Sequence, residues 1–127
     1  MAGKIIADTL EHSTAGSVTT DYVVEGSAKA WADWTGTGTP TINDSLNVAS
    51  LIDDATGDQS ITFTNSFSSD FWTIAAAANS QRNGTGWGWG CTDYKRTTSL
   101  SRIRSYNTGF TLTDVAVMNS TITGDLA

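Results

Sequence analysis

The residues whose types and spacing carry the most chemistry are Asn83-Gly84-Thr85-Gly86-Trp87-Gly88-Trp89-Gly90, with Arg82 before them and Cys91 and Tyr94 after. In an extended segment, side chains two apart share a side, so Trp87 and Trp89 present their indoles together. The glycines between them let a backbone or a ligand approach closely. Aromatic faces stack on sugar rings, and Arg82 and Asn83 add polar contacts beside them. An apolar platform with a few placed hydrogen-bonding groups is the logic of a glycan site. The pattern nominates Arg82, Asn83, Trp87, Trp89 and Tyr94 as a glycan- or receptor-binding set. The two indoles are equally suited to packing in a core or between subunits, each burying up to about 200 Å². Cys91 reads as a small buried apolar residue.

Catalytic chemistry has little to work with. His12 is the one histidine and reads as a solvent or interface residue. Serines abound, but no nucleophile elbow accompanies them. Asp53, Asp54 and Asp58 are the clustered carboxylates. They read as turn residues, a place where Asp is favoured for its local backbone hydrogen bonds. The alternating acids and closing Glu of a calcium loop are missing. A single cysteine makes no internal disulfide and no Cys-based metal site. The expectation is no catalytic residue, no metal and no cofactor.

The elements that would position these residues are strands. Ser and Thr together make 35 of 127 residues, and Asp outnumbers Glu 11 to 2. Such residues suit turns and strand surfaces rather than helices. At 16% charged and 39% hydrophobic the chain has the composition of a folded domain. The net charge of −6 argues against nucleic acid as a partner. Charge is uneven, with Arg82, Lys95, Arg96, Arg102 and Arg104 all in the second half. That cluster is a solvated face, or it faces an anionic partner or a neighbouring copy's acidic half. No apolar run approaches a membrane span or an ordinary signal peptide, so a chain made soluble in the cytoplasm, without membrane insertion, is expected.

Along the chain, residues 1–25 read as an extended arm and 26–127 as a head. The arm's apolar positions are Ile5, Ile6, Leu10, Val18, Tyr22, Val23 and Val24, on two extended pieces, Lys4–Leu10 and Val18–Val24. Fully extended, about 20 residues reach roughly 65–70 Å. Such an arm docks or interlaces with a partner chain, or supplies the first two strands of the domain. In the head, strands are expected at Trp31–Trp34, through Leu46, Val48 and Leu51, and at Ile61–Phe63. A buried strand is expected at Phe71–Ala78, and further strands at Cys91–Thr98, Leu100–Tyr106 and Thr111–Met118. Asn107-Thr108-Gly109 reads as the hairpin turn between the last two. Strict alternation puts Arg102, Arg104 and Tyr106 on one face and Ser101, Ile103 and Ser105 on the other. Residues 119–127 read as a loose tail. The sum is an all-β, antiparallel β-sandwich or jelly-roll-like domain.

The order Gly26-Ser27-Ala28-Lys29-Ala30-Trp31, Asp33-Trp34-Thr35-Gly36-Thr37-Gly38, Ile42-Asn43-Asp44-Ser45-Leu46-Asn47-Val48-Ala49-Ser50-Leu51, Thr56-Gly57-Asp58, Thr62-Phe63 and Phe71 resembles a domain of small tailed-bacteriophage virion proteins. Trp34 and Leu46 stand where that family commonly has phenylalanine, and Phe67-Ser68-Ser69-Asp70 replaces a proline-bearing turn. The resemblance spans about residues 26–78, with weaker agreement at Asp8-Thr9-Leu10. It implies a non-enzymatic, homotrimeric all-β appendage of a virion. The candidates are a fibre tip, spike or knob contributing to host-surface attachment, or a capsid decoration protein. Its partners would be itself, other tail or capsid proteins and a host glycan. A stand-alone carbohydrate-binding module is the alternative outside that class. The Trp/Gly loop falls outside the resemblance, as a variable recognition loop would.

Overall fold

A computed structural model describes Gly3, residues 6–80 and residues 88–127, with Gly88 and Trp89 described by backbone alone. Ten strands and one short helix make up the described residues. Strands β1 (Thr9–His12) and β2 (Gly16–Thr19) form a hairpin, and helix α1 (Thr20–Gly26) follows. The head holds β3 (Ala28–Thr35), β4 (Thr41–Leu46), β5 (Val48–Ala55), β6 (Asp58–Phe63), β7 (Thr73–Asn79), β8 (Gly88–Thr97), β9 (Leu100–Tyr106) and β10 (Val117–Thr123). Their order across the sheet is β4-β3-β10-β7-β8-β9-β6-β5, and every pairing is antiparallel. Among the described residues the chain is therefore all-β and antiparallel apart from one helix.

The sheet is curled into a sandwich-like shape. β8 pairs with β7 only at Gly88 and Trp89, then runs with β9 from Gly90 onward. Inward residues from both halves meet in one core: Ala30, Ala32 and Trp34 of β3, Met118 and Ile122 of β10, Ile61 and Phe63 of β6, and Ile103 of β9. Trp34 Nε1 donates to Gln59 Oε1 at 2.7 Å, joining β3 to β6 across the interior. Gln59 Nε2 donates to Gly36 O at 3.1 Å, so both ends of the buried amide are used. At one end of the core Phe63, Phe67 and Trp72 meet ring to ring, with centroids 4.9–6.0 Å apart. Arg96 lies over Trp72 at 5.0 Å and donates to its carbonyl oxygen.

Several expectations are corrected. The arm's second extended piece, expected over Val18–Val24, is strand only to Thr19 and helix from Thr20. Thr9 and Thr19 are the last register pair of the hairpin, so the residues after Thr19 have no strand beside them. They satisfy their backbone internally, as a helical turn does. Thr20 starts that helix by donating its amide to Asp8 O and its hydroxyl to Ala7 O. The expected strand through Leu46, Val48 and Leu51 is two strands, broken at Asn47, whose φ of 56° lies in the left-handed region. β4 and β5 thus lie at opposite edges of the sheet. The Phe71–Ala78 run is not fully buried. β7 begins at Thr73 and alternates exposed with covered residues, while Phe71 stands in solvent.

The expected last strand, Thr111–Met118, is displaced. The hairpin turn at Asn107-Thr108-Gly109 forms, but the returning piece is short: Leu112 bridges to Tyr106, Asn107 N donates to Thr111 O and Thr113 N donates to Ser105 O. The true last strand, β10, takes in much of the residues expected to be a loose tail and is inserted between β3 and β7. Ser120 faces inward between Met118 and Ile122, and this polar residue breaks the apolar pattern that marks a core strand.

Gly57 carries the tightest turn. Its φ is +65°, and a Cβ there would lie 2.4 Å from Thr113 N and 2.8 Å from Ser105 O, both backbone atoms. Gly38, at φ +70°, has nothing within 4 Å of a Cβ. The two separate backbone strain from collision. Gly38→Ala is expected to cost about 1 kcal/mol, the left-handed penalty alone. Gly57→Ala is expected to cost more than about 2 kcal/mol in denaturant titration. Equal costs would contradict the packing described here.

Candidate functional site

The outer face of β5-β6-β9-β8 carries the charged side chains the sequence placed there. Cross-strand register sets Asp58 opposite Arg104 and Ser60 opposite Arg102, while Thr92 and Lys95 of β8 stand opposite Arg104 and Arg102. A register shift between Asp93 and Lys95 leaves Tyr94 as the extra residue of a bulge. Bulges re-aim side chains, and here Tyr94 receives the Arg104 guanidinium 3.3 Å from its ring centroid. The Arg102 guanidinium is 5.3 Å from the same ring.

Asp58 organises this face. Arg102 binds it through Nε at 2.6 Å and an Nη at 2.9 Å, and Arg104 through Nε at 2.9 Å. The arginines cover it, leaving it 2% exposed. Asp54 adds a second carboxylate, 3.6 Å from Arg102 Nε, and accepts from Ser60 Oγ. Burial alone raises the Asp58 carboxyl, but the hydrogen bonds and positive charges of Arg102 and Arg104 outweigh it and hold the group below the ordinary carboxylate range. Asp58 is therefore not a simple turn residue, and neither are Asp53 and Asp54, which lie within β5. Among the described residues, no group of three His, Cys, Asp or Glu side chains is placed to hold a metal ion.

Beside this charged face lies a cavity of about 370 Å³, lined by Gly90, Cys91, Thr92, Tyr106, Asn107, Thr108 and Phe110. The turn forming one wall is braced by Asn107. Its Oδ1 accepts from Gly109 N and Thr111 N, and its backbone O accepts from Phe110 N. Phe110 sits in the left-handed region at φ 58° and is 90% exposed. Cys91 is half-buried in the wall, and burial pushes its thiol pKa up. A raised thiol pKa means little thiolate and low reactivity.

Of the residues nominated from sequence, Arg82, Asn83 and Trp87 lie outside the described residues, as does Ile5 of the docking set. Trp89 is placed by its backbone opposite Ala78. Tyr94 is half-exposed in the arginine cluster. The docking residues Ile6, Leu10, Val18, Tyr22 and Val23 are all exposed on the hairpin and helix. His12 braces the hairpin turn, its Nδ1 accepting from Thr14 N and Ala15 N. Sequence reasoning missed Tyr106 and Phe110 as cavity walls and Asp58 as the arginines' partner. The strict alternation of β9 was a signal for Tyr106, since it put that ring on the arginine face.

Fold and site define an all-β antiparallel protein that presents a paired-arginine face and an aromatic-walled cavity, an arrangement able to bind an anion and stack on a ring. Compared with known proteins, the chain matches no family model, no curated protein and no solved structure.

The depressed Asp58 pKa sets a pH dependence. The folded state holds this proton less tightly than the unfolded chain, so its stabilisation is complete above the ordinary Asp value, about 4, and is lost as pH falls through the lower folded value. Thermal melts from pH 6 to pH 2.5 are expected to show a smaller fall in Tm for Asp58→Asn than for the parent chain, starting from a lower Tm at pH 6. Parallel curves would mean the arginine pair does not discriminate the charged carboxylate.

Proposed function

We propose that this chain is a non-enzymatic structural protein of a tailed-phage virion: a homotrimeric, exposed appendage with a jelly-roll-like head, such as a fibre tip, spike or knob, that contributes to host-surface attachment. The observation that carries the reading is the surface of residues 6–26. Helix α1 has no buried residue, and Ile6, Tyr22 and Val24 are 80%, 74% and 59% exposed. A hairpin and a seven-residue helix of this kind are marginal on their own in water. Association of three copies covers their apolar side chains and leaves the head outermost. The sequence resemblance supplies the virion class, and the all-β head fits it.

A second reading has its own observation. The cavity beside Phe110 suits a stand-alone carbohydrate-binding module, which needs no arm contacts. Capsid decoration, as a cement protein, shares the trimeric arm and differs only in where it docks.

Light scattering on the purified chain discriminates these. The appendage reading predicts a particle of three times the 13.4 kDa chain mass, reduced to monomer by Tyr22→Asp with Val23→Asp. A parent chain that stays monomeric at high concentration would sink the trimer and favour the stand-alone module.

A further inference from the structure

The aromatic ring of Phe110 is held in solvent on a left-handed backbone, a conformation uncommon for a bulky residue. Three hydrogen bonds to Asn107 hold that turn. Strain of this kind persists where the surroundings enforce it, and it gathers at binding sites. The adjoining cavity, about 370 Å³, is large enough for a sugar ring. The Asn107 amide nitrogen has no partner among the described residues, and Thr92 and Thr108 line the same space.

The charged face adjoins this wall. Thr92 borders the cavity and is the direct cross-strand partner of Arg104, which puts their Cβ atoms about 5 Å apart. Tyr106 is two residues beyond Arg104 on the same strand face. Arg104 is anchored through Nε to Asp58 and against the Tyr94 ring, which leaves both Nη groups uncommitted among the described residues. A planar fork fixed at its base and free at its tip suits a carboxylate, which it binds through two charge-assisted hydrogen bonds. Arg102, Arg104 and Lys95 outnumber Asp54 and Asp58 on this face, in a chain whose net charge is −6.

We propose that this cavity is a binding site for an acidic saccharide, with the sugar ring against Phe110 and Tyr106 and its carboxylate on the free fork of Arg104. The inference deepens the host-attachment part of the reading above and rests on it, by giving the chemical class of the surface glycan. A neutral sugar uses the aromatic walls and the Asn107 amide but forgoes the arginine. The uncommitted fork therefore selects for the acid.

The test is an NMR titration of the full chain with galacturonate, N-acetylneuraminate and, as neutral control, galactose. At least one acid is expected to shift the amides of Thr92, Tyr106 and Phe110 and to bind about tenfold more tightly than galactose. Phe110→Ala, an exposed position, is expected to weaken acid binding about tenfold, as loss of a stacking ring does. Arg104→Lys keeps the positive charge but lacks the fork, and is expected to erase most of the preference for acid over neutral sugar. If neither acid shifts these amides, if galactose binds as tightly, or if Phe110→Ala leaves affinity unchanged, the proposal is overturned. A trimer that ignores both acids overturns this site and leaves the appendage reading standing, while a monomer that binds them does the reverse.

Discussion

Three consecutive residues leading from a turn into β6 hold this fold together, and Asp58 is the middle one. Its carboxylate faces outward and fixes Arg102 and Arg104. Gln59 faces inward and holds the Trp34 indole and the Gly36 carbonyl. Gly57 precedes them in a turn that admits no side chain, with its amide on Asp114 Oδ1 and its carbonyl receiving Ser105 N. Strand alternation alone sends neighbours to opposite faces. Placing a buried acid and a buried amide side by side thus ties the outer charge cluster to the inner core at one point. A buried polar group without its partners costs about 1–3 kcal/mol, so each of these contacts is enforced by the others.

This constraint has a functional consequence. Asp58 of β6 holds Arg102 and Arg104 through their Nε atoms, Asp54 adds to Arg102 and the Tyr94 ring of β8 covers Arg104, while both Nη groups of Arg104 stay uncommitted among the described residues. The aromatic-walled cavity lies at the end of the same face, formed by β8, β9 and the turn that Asn107 braces. The arm stands apart from this arrangement. Its apolar side chains are exposed, and the Lys29 ammonium of β3 donates to the carbonyls of Val24 and Ser27 where the arm meets the head. An association element at one end and a recognition face on the head are the two halves of the proposed appendage.

Much of the strand content was legible because it rests on local pattern. β9 is the clearest case: Ser101, Ile103 and Ser105 are buried and Arg102 and Arg104 are not, as alternation requires. The strands carrying Trp34, Ile61 and Phe63 were legible for the same reason. β10 was not, because Ser120 occupies a core position and disguises Met118 and Ile122 as part of a polar tail. The break at Asn47 was hidden because a single left-handed residue leaves no mark on hydrophobic periodicity. The helix at Thr20–Gly26 went unseen because Tyr22, Val23 and Val24 favour strands, and only the end of the hairpin ladder denies them one. At the site, Arg102 and Arg104 were legible as a face. Their partner Asp58 was not, since it is brought to Arg104 by a register between residues 46 apart in sequence.

The central claim is that the start of β6 couples the two halves of the curled sheet through the Trp34–Gln59 hydrogen bond. A double-mutant cycle on Trp34→Phe and Gln59→Leu, read by denaturant unfolding, tests it most directly. The account predicts that the two single changes are each destabilising and strongly non-additive, with a coupling energy of about 1 kcal/mol or more, because either one alone strands a buried polar atom. Additive losses, with a coupling energy near zero, would contradict it.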